Sequence, residues 1–234
     1  MEFSFDAPTL LGPMANQYES ITEWVNEEQP LRLIDLGAGS GTNSPYGASL
    51  QSVAGSVTGI DPEESVLTNP YLNQALCSTA EEFAASSSNT LFDTATALYV
   101  IEHLNDPLAF LIAARSVVRS GGSLFVLTPN RNHYFGVSAV IAARLRLQGP
   151  LLRLIRNDND YHHPVAYRAN TLHQLSELAK TAGFKQMEVR MIESPHIFYP
   201  YFTPRLHFLP RNYSRLVHFN GWTRMAGTIL ARLR

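Results

Sequence analysis

The stretch that most constrains this chain is Leu31-Arg32-Leu33-Ile34-Asp35-Leu36, an apolar run that ends directly in Gly37-Ala38-Gly39-Ser40-Gly41. Its shortness and its glycine boundary read as a buried strand, and glycines placed there let the backbone turn tightly and approach a ligand closely. An open α/β sheet binds nucleotide-like ligands at this place, where the first strand's carboxyl end meets the next helix. Similar runs recur at Val57-Thr58-Gly59-Ile60, Phe92 to Val100 and Ser123-Leu124-Phe125-Val126-Leu127, each separated by room for a helix. That alternation predicts an α/β fold with a mostly parallel sheet and right-handed crossovers.

The helices announce themselves by periodicity and by their ends. Ala15 to Glu28 is amphipathic; Pro107 to about Arg119 is apolar, with arginines late and Gly121-Gly122 as a stop. Asn170-Thr171 offers an N-cap for a helix to about Ala182, closed by Gly183 and followed by the strand-like Phe184 to Ile192. Gly227 to Leu233 reads as a last strand, and Ala84 to Asn89 as a surface turn. Gly136 to Asn157, broken at Gly149-Pro150, reads as two short helices of an insertion.

Composition narrows the class. A chain of 234 residues at 45% apolar and 10% aromatic buries a substantial core, which excludes disorder and coiled coil. Cys77 is the single cysteine, so no intramolecular disulfide and no cysteine-rich zinc site is available. With no basic-then-apolar leader and no apolar stretch of roughly 20 residues, the expected setting is cytoplasmic, with peripheral membrane contact left open.

The ligand of the glycine loop follows from its spacing. The dinucleotide fingerprint Gly-x-Gly-x-x-Gly requires glycine where Thr42 stands, and Gly41 falls one residue early, which argues against NAD. Asp61, at the end of the second strand, is placed to accept two hydrogen bonds from a ribose diol.

These residues resemble the class I S-adenosylmethionine-dependent methyltransferases, especially those similar to ubiquinone-biosynthesis O-methyltransferases, from about Leu31 to Ile192. The resemblance implies a Rossmann-like seven-stranded sheet over residues 31–234; the residue pattern itself places an N-terminal helical segment, 1–30, before it and a helical cap insertion at about 136–164 within it. The resemblance also implies that Asp35, Gly37, Ala38, Gly39 and Gly41 lie under the methionine part of S-adenosylmethionine, that Asp61 with Pro62 holds the ribose, and that Thr79-Ala80-Glu81 meets the adenine. Threonine stands where that family usually has aspartate. Phe92-Asp93 through Leu98-Tyr99 to Pro107 is similar to the fourth strand and the loop beside the transferred methyl.

Methyl transfer from a sulfonium needs alignment more than covalent help. An oxygen or nitrogen nucleophile must still lose a proton, which suits histidine. His103, His133, His162 and His163 are the candidates, His103 having the best placement; its other reading is a structural role in the loop. His162 and His163 fall where a lid is expected, or where a polar turn caps a helix. Adjacent histidines diverge and rarely share an ion, so no metal is expected. No Gly-x-Ser-x-Gly elbow supports a serine hydrolase.

The net charge of -2 hides two opposed halves: residues 1–130 carry -12 and residues 131–234 carry +10. No carboxylate follows Glu193, yet six arginines do, among many aromatics. The asymmetry points to an anionic partner, or to mutual neutralisation of the halves or of two copies in a homodimer. Gly136 to Arg156 reads as a lid for a hydrophobic substrate, as an interfacial helix or as dimer packing. The absence of a legible RNA-binding module argues against nucleic acid. The expected activity is methylation of a small or lipid-like organic acceptor on oxygen or nitrogen. The alternative is a methyltransferase fold that binds the cofactor but catalyses another reaction or serves as a partner subunit.

Overall fold

The computed structural model describes residues 3–41, 46–86, 91–137 and 166–234. They form one nine-stranded sheet in the order β1-β8-β9-β7-β6-β3-β4-β5, with β2 also on β8. The strands are β1 (Ser4–Phe5), β2 (Thr9–Leu10), β3 (Arg32–Leu36), β4 (Ser56–Asp61), β5 (Gln74–Cys77), β6 (Phe92–Leu98), β7 (Val118–Pro129), β8 (Gln186–Ile192) and β9 (Thr228–Leu233). The described helices longer than one turn are α1 (Gln17–Asn26), α2 (Tyr46–Val53), α3 (Ala80–Ser86), α4 (Pro107–Val117), α5 (Leu172–Thr181) and, after the four-residue α6 (Pro195–Phe198), α7 (Phe208–Asn220).

Seven of these strands make the expected Rossmann-like sheet, and all pair in parallel except β9, which runs antiparallel between β7 and β8. The two extra strands are two-residue pairings on β8, too short to leave a period in the sequence. Strand β5 was also missed: Gln-Ala-Leu-Cys lacks the β-branched residues and the alternation that mark a strand. The helix before β7 ends at Val117 rather than near Arg119, and Gly121-Gly122 lie inside the strand. There the β6–β7 register shifts, so the glycines serve a bulge instead of a helix stop. Ala84 to Ser86, expected in a turn, close α3.

Helices cover both faces, so the central strands are apolar on both sides. Ile34, Leu124 and Val126 pack with Phe83, Phe110, Leu111 and Leu175 on one face. On the other, Leu33, Phe125 and Leu127 pack with Ile21, Trp24, Val25 and Leu50. The chain leaves β3 for β4 on one side and later returns to lay β6 on the other. The strand order therefore reverses at β3, and a crevice opens at its carboxyl end between two diverging connections. The expected cap at about 136–164, with His162 and His163, lies outside the described residues except for Gly136 and Val137.

Candidate functional site

The loop at that crevice is bent by three glycines with positive φ, Gly37 at 82°, Gly39 at 52° and Gly41 at 71°. Gly37 is held by sterics too, since a Cβ there would fall 2.3 Å from Val100 Cγ2. Gly39 differs: a Cβ there would meet nothing within 4 Å, so its half-buried backbone borders open space that a ligand can enter.

Three polar groups fix the loop. Gly37 and Ala38 donate their N–H groups to the Ile60 carbonyl at 2.8 and 3.1 Å. Gly39 N–H donates to Asp61 Oδ2 at 3.1 Å, while Asp61 Oδ1 accepts from Glu63 N–H at 2.9 Å. Asn69 donates through Nδ2 to the carbonyls of Ala38, 3.1 Å, and Gly39, 3.0 Å. Sequence reasoning missed Asn69, because its role depends on a loop 30 residues away and on no local motif. Asp61 is half-exposed at the end of β4, so each carboxylate oxygen keeps a lone pair for a ligand beside its backbone donor.

Asp35 sits one layer below. It is buried, accepts from Thr96 Oγ1 at 2.7 Å, and its carboxyl is pushed up to about 6 by burial, with Asp61 adding and the Thr96 hydrogen bond opposing. Pro62 follows Asp61 and its carbonyl accepts from the Cys77 thiol at 3.4 Å. Thr79 occupies the N-cap of α3. Its hydroxyl accepts from Glu82 N–H at 3.2 Å and Glu82 Oε2 accepts from Thr79 N–H at 3.1 Å, a reciprocal capping box. Ala80 is buried behind it, and Glu81 is exposed.

The segment after β6 forms the next wall. Tyr99 has φ 55°, an uncommon value for a bulky residue. Its hydroxyl donates to Gln17 Oε1 and its ring meets Tyr18 edge-on at 6.4 Å, so α1 closes this side of the crevice. Burial holds the Tyr99 phenol well above its ordinary range. Glu102 is 3% exposed, accepts from Thr128 Oγ1 at 3.0 Å, and is raised by burial to about 7, against the pull of its hydrogen bonds. Asn170 donates to the same Thr128 oxygen at 2.6 Å. His103 follows, one-third exposed, with Nε2 4.0 Å from Glu102 Oε1. Glu102 was visible as an acid beside a histidine; its burial was not.

His133 lies elsewhere. It is 1% exposed, its Nε2 is 3.3 Å from Glu193 Oε2, and its ring stacks on Phe198 at 4.3 Å. Glu193 also accepts from Gly227 N–H at 2.9 Å, so this pair ties the end of β8 to the start of β9. Among the described residues no group of three or more histidine, cysteine, aspartate or glutamate side chains is arranged to hold a metal ion.

The arrangement is a ligand cradle of positive-φ glycines, a carboxylate at its lip, and a titratable pair on the adjoining wall. Comparison with known proteins gives the family and the fold. The family model described as a methyltransferase domain matches residues 14–189. A ubiquinone biosynthesis O-methyltransferase of Cereibacter sphaeroides is 36% identical over 124 residues, 49% of this chain and 48% of that protein. Another, from Ralstonia nicotianae, is 27% identical over 181 residues, 73% of this chain and 71% of that one. The chain spans about half the length of the first curated relatives it matches. Among solved structures, a SAM-dependent methyltransferase of Thermotoga maritima superposes with TM-score 0.57 at 16% identity, covering 92% of this chain and 87% of that one. The plantazolicin methyltransferase BamL, solved in complex with SAH, gives 0.53 at 15%, covering 92% and 83%. These likenesses show the fold.

Proposed function

Starting from the fact that this chain belongs to the methyltransferase domain family, we propose that it transfers a methyl group from S-adenosylmethionine to an oxygen or nitrogen of a small or lipid-like organic acceptor. The observation that carries this reading is the cradle itself: Gly39 opens onto free space within reach of the Asp61 carboxylate, both clamped at the carboxyl end of β3 and β4. The fit to the cofactor is chemical. Asp61 offers two acceptor oxygens to a ribose diol, the glycine backbone admits a bulky amino-acid tail, and Thr79, Ala80 and Glu81 stand at the neighbouring strand end. When bound, the cofactor supplies an electrophilic methyl on a sulfonium.

The chain's own part is binding, orientation and proton handling. Tyr99, held by Gln17, and the loop glycines orient the bound molecule and exclude water on the α1 side. His103 accepts the acceptor's proton, with Glu102 Oε1 4.0 Å from its Nε2 on the same wall of the crevice. His162 and His163 are the other bases in this proposal. The O-methyltransferase names of the relatives support an oxygen acceptor.

Two measurements test the reading. In calorimetry, Asp61→Ala should weaken S-adenosylmethionine binding by roughly 1.5–3 kcal/mol, the worth of a charge-assisted hydrogen bond. Unchanged affinity would remove Asp61 from the site. His103→Ala should cut turnover about a hundredfold while keeping cofactor affinity. Near-normal turnover in His103→Ala, His162→Ala and His163→Ala alike would leave alignment as the whole of catalysis.

A further inference from the structure

The opposed charges of the two halves are only partly neutralised inside the fold. Arg190, Arg232 and Arg234 reach Glu27, Glu28 and Glu188. Arg205, Arg211, Arg215 and Arg224 are exposed, and none of them forms an ion pair with a described residue. All four lie on α7 or within a few residues of it, in a region without a single carboxylate.

Helix α7 also departs from the usual polarity of a surface helix, being apolar on its outer face as well as its inner one. Its inner face buries Pro210, Ser214 and Val217. Its outer face presents Phe208, Leu209, Leu216 and Phe219, which are 45, 41, 52 and 88% exposed. At about 100° per residue these four share one arc of the helix, and Arg211 and Arg215 both lie along one border of it. Trp222 and Met225, 48 and 39% exposed, follow after Gly221. Against this face Pro13, Met14 and Tyr199 complete a groove of about 880 Å³. The patch adjoins the edge that carries the glycine loop, because Thr228, just beyond it, pairs with Pro129 and Ile192 at the carboxyl ends of β7 and β8.

We propose that this face docks the protein onto an anionic lipid bilayer, its apolar side chains entering the acyl boundary and its four arginines meeting the phosphate headgroups. The charge decides against a second copy of the chain, since a two-fold contact through this patch would set arginine against arginine. The aliphatic Leu209, Leu216 and Met225 standing among the rings of Phe208, Phe219 and Trp222 suit an acyl boundary better than a stack of bases, which the aromatic residues alone would serve. Docked this way, the carboxyl edge of the sheet faces the membrane. The surface does not depend on which molecule is methylated.

The test is sedimentation of the full chain with phosphatidylcholine vesicles, with and without about one-third phosphatidylglycerol. Binding to the anionic vesicles should be tenfold or more stronger and should fall with salt. Leu216→Glu/Phe219→Glu should abolish it, and Arg211→Gln and Arg215→Gln should each weaken it about fivefold. All variants should keep the parent's melting temperature and its S-adenosylmethionine affinity, which separates this proposal from the cofactor reading. Equal binding to both vesicles, binding to neither, or variants that bind like the parent overturns it. So does a lipid-free dimer whose interface protects α7 from hydrogen exchange, or oligonucleotide binding lost in the same variants.

Discussion

Asn69 and Glu102 carry consequences out of proportion to their visibility. The Asn69 amide satisfies two loop carbonyls at once, so Asn69→Ala should loosen the loop, weaken S-adenosylmethionine binding about tenfold, and cost about 1–2 kcal/mol in denaturant unfolding. Normal affinity with the stability loss alone would make the clamp structural. Glu102 makes a prediction with a sign. Its folded value near 7 lies above its ordinary 4.5, so the native state holds this proton more tightly than the unfolded chain. Its contribution to stability is therefore full below about pH 4.5 and is lost as pH rises through 7. Glu102→Gln cannot ionise, so the variant should gain on the parent as pH rises from 5 to 8, by an amount on the order of 3 kcal/mol. Melting curves across that range check it; a difference that does not grow with pH counts against a buried, protonated Glu102.

At the scale of elements, the starts of two helices were legible and their packing was not. Thr171 caps α5 through Gln174 N–H, as its position before an amphipathic run predicted, and Asp106 caps α4 through Ala109 N–H with Pro107 next to it. Thr79 shows the limit: the resemblance marks it as an altered adenine contact, and the structure shows its hydroxyl engaged in capping α3. Thr79→Ala should cost about 1 kcal/mol. Thr79→Asp keeps the cap, since aspartate caps as well, and should tighten cofactor binding in calorimetry if the adenine lies there. Helix α1 depends on Trp24, 1% exposed, whose ring meets Phe125 at 5.6 Å and lies under the guanidiniums of Arg190, 4.1 Å, and Arg232, 4.9 Å. No periodicity in Ala15 to Glu28 could reveal those two arginines from β8 and β9.

For the whole molecule, Glu28 joins distant parts of the chain. It accepts from Thr94 on β6, Ser123 on β7 and Arg234, and lies 3.6 Å from Arg232 on β9. Glu28→Ala leaves those donors and two guanidiniums without their carboxylate in a half-buried setting, so a loss of about 2–4 kcal/mol is expected in urea unfolding. A loss below about 0.5 kcal/mol would show that water replaces it freely. Among the described residues no helix is long and apolar enough to cross a membrane.

The sequence by itself determined the β3 strand, the glycine loop with Asp61 in register, the alternation of strands and helices, and the opposition of charge between its halves. Each is written in local order, in periodicity, or in residue types that few backbone conformations accept, such as glycine at positive φ. Tertiary structure decided the rest. It placed Asn69 on the loop, buried Glu102 beside His103, closed the His133–Glu193 pair, and sorted the arginines into those neutralised against Glu27, Glu28 and Glu188 and those left facing outward on α7. Burial and charge pairing depend on which distant segments meet. A sheet order that sets β9 between β7 and β8 brings together residues separated by up to 206 positions, as Glu28 and Arg234 are, and no local pattern encodes that meeting.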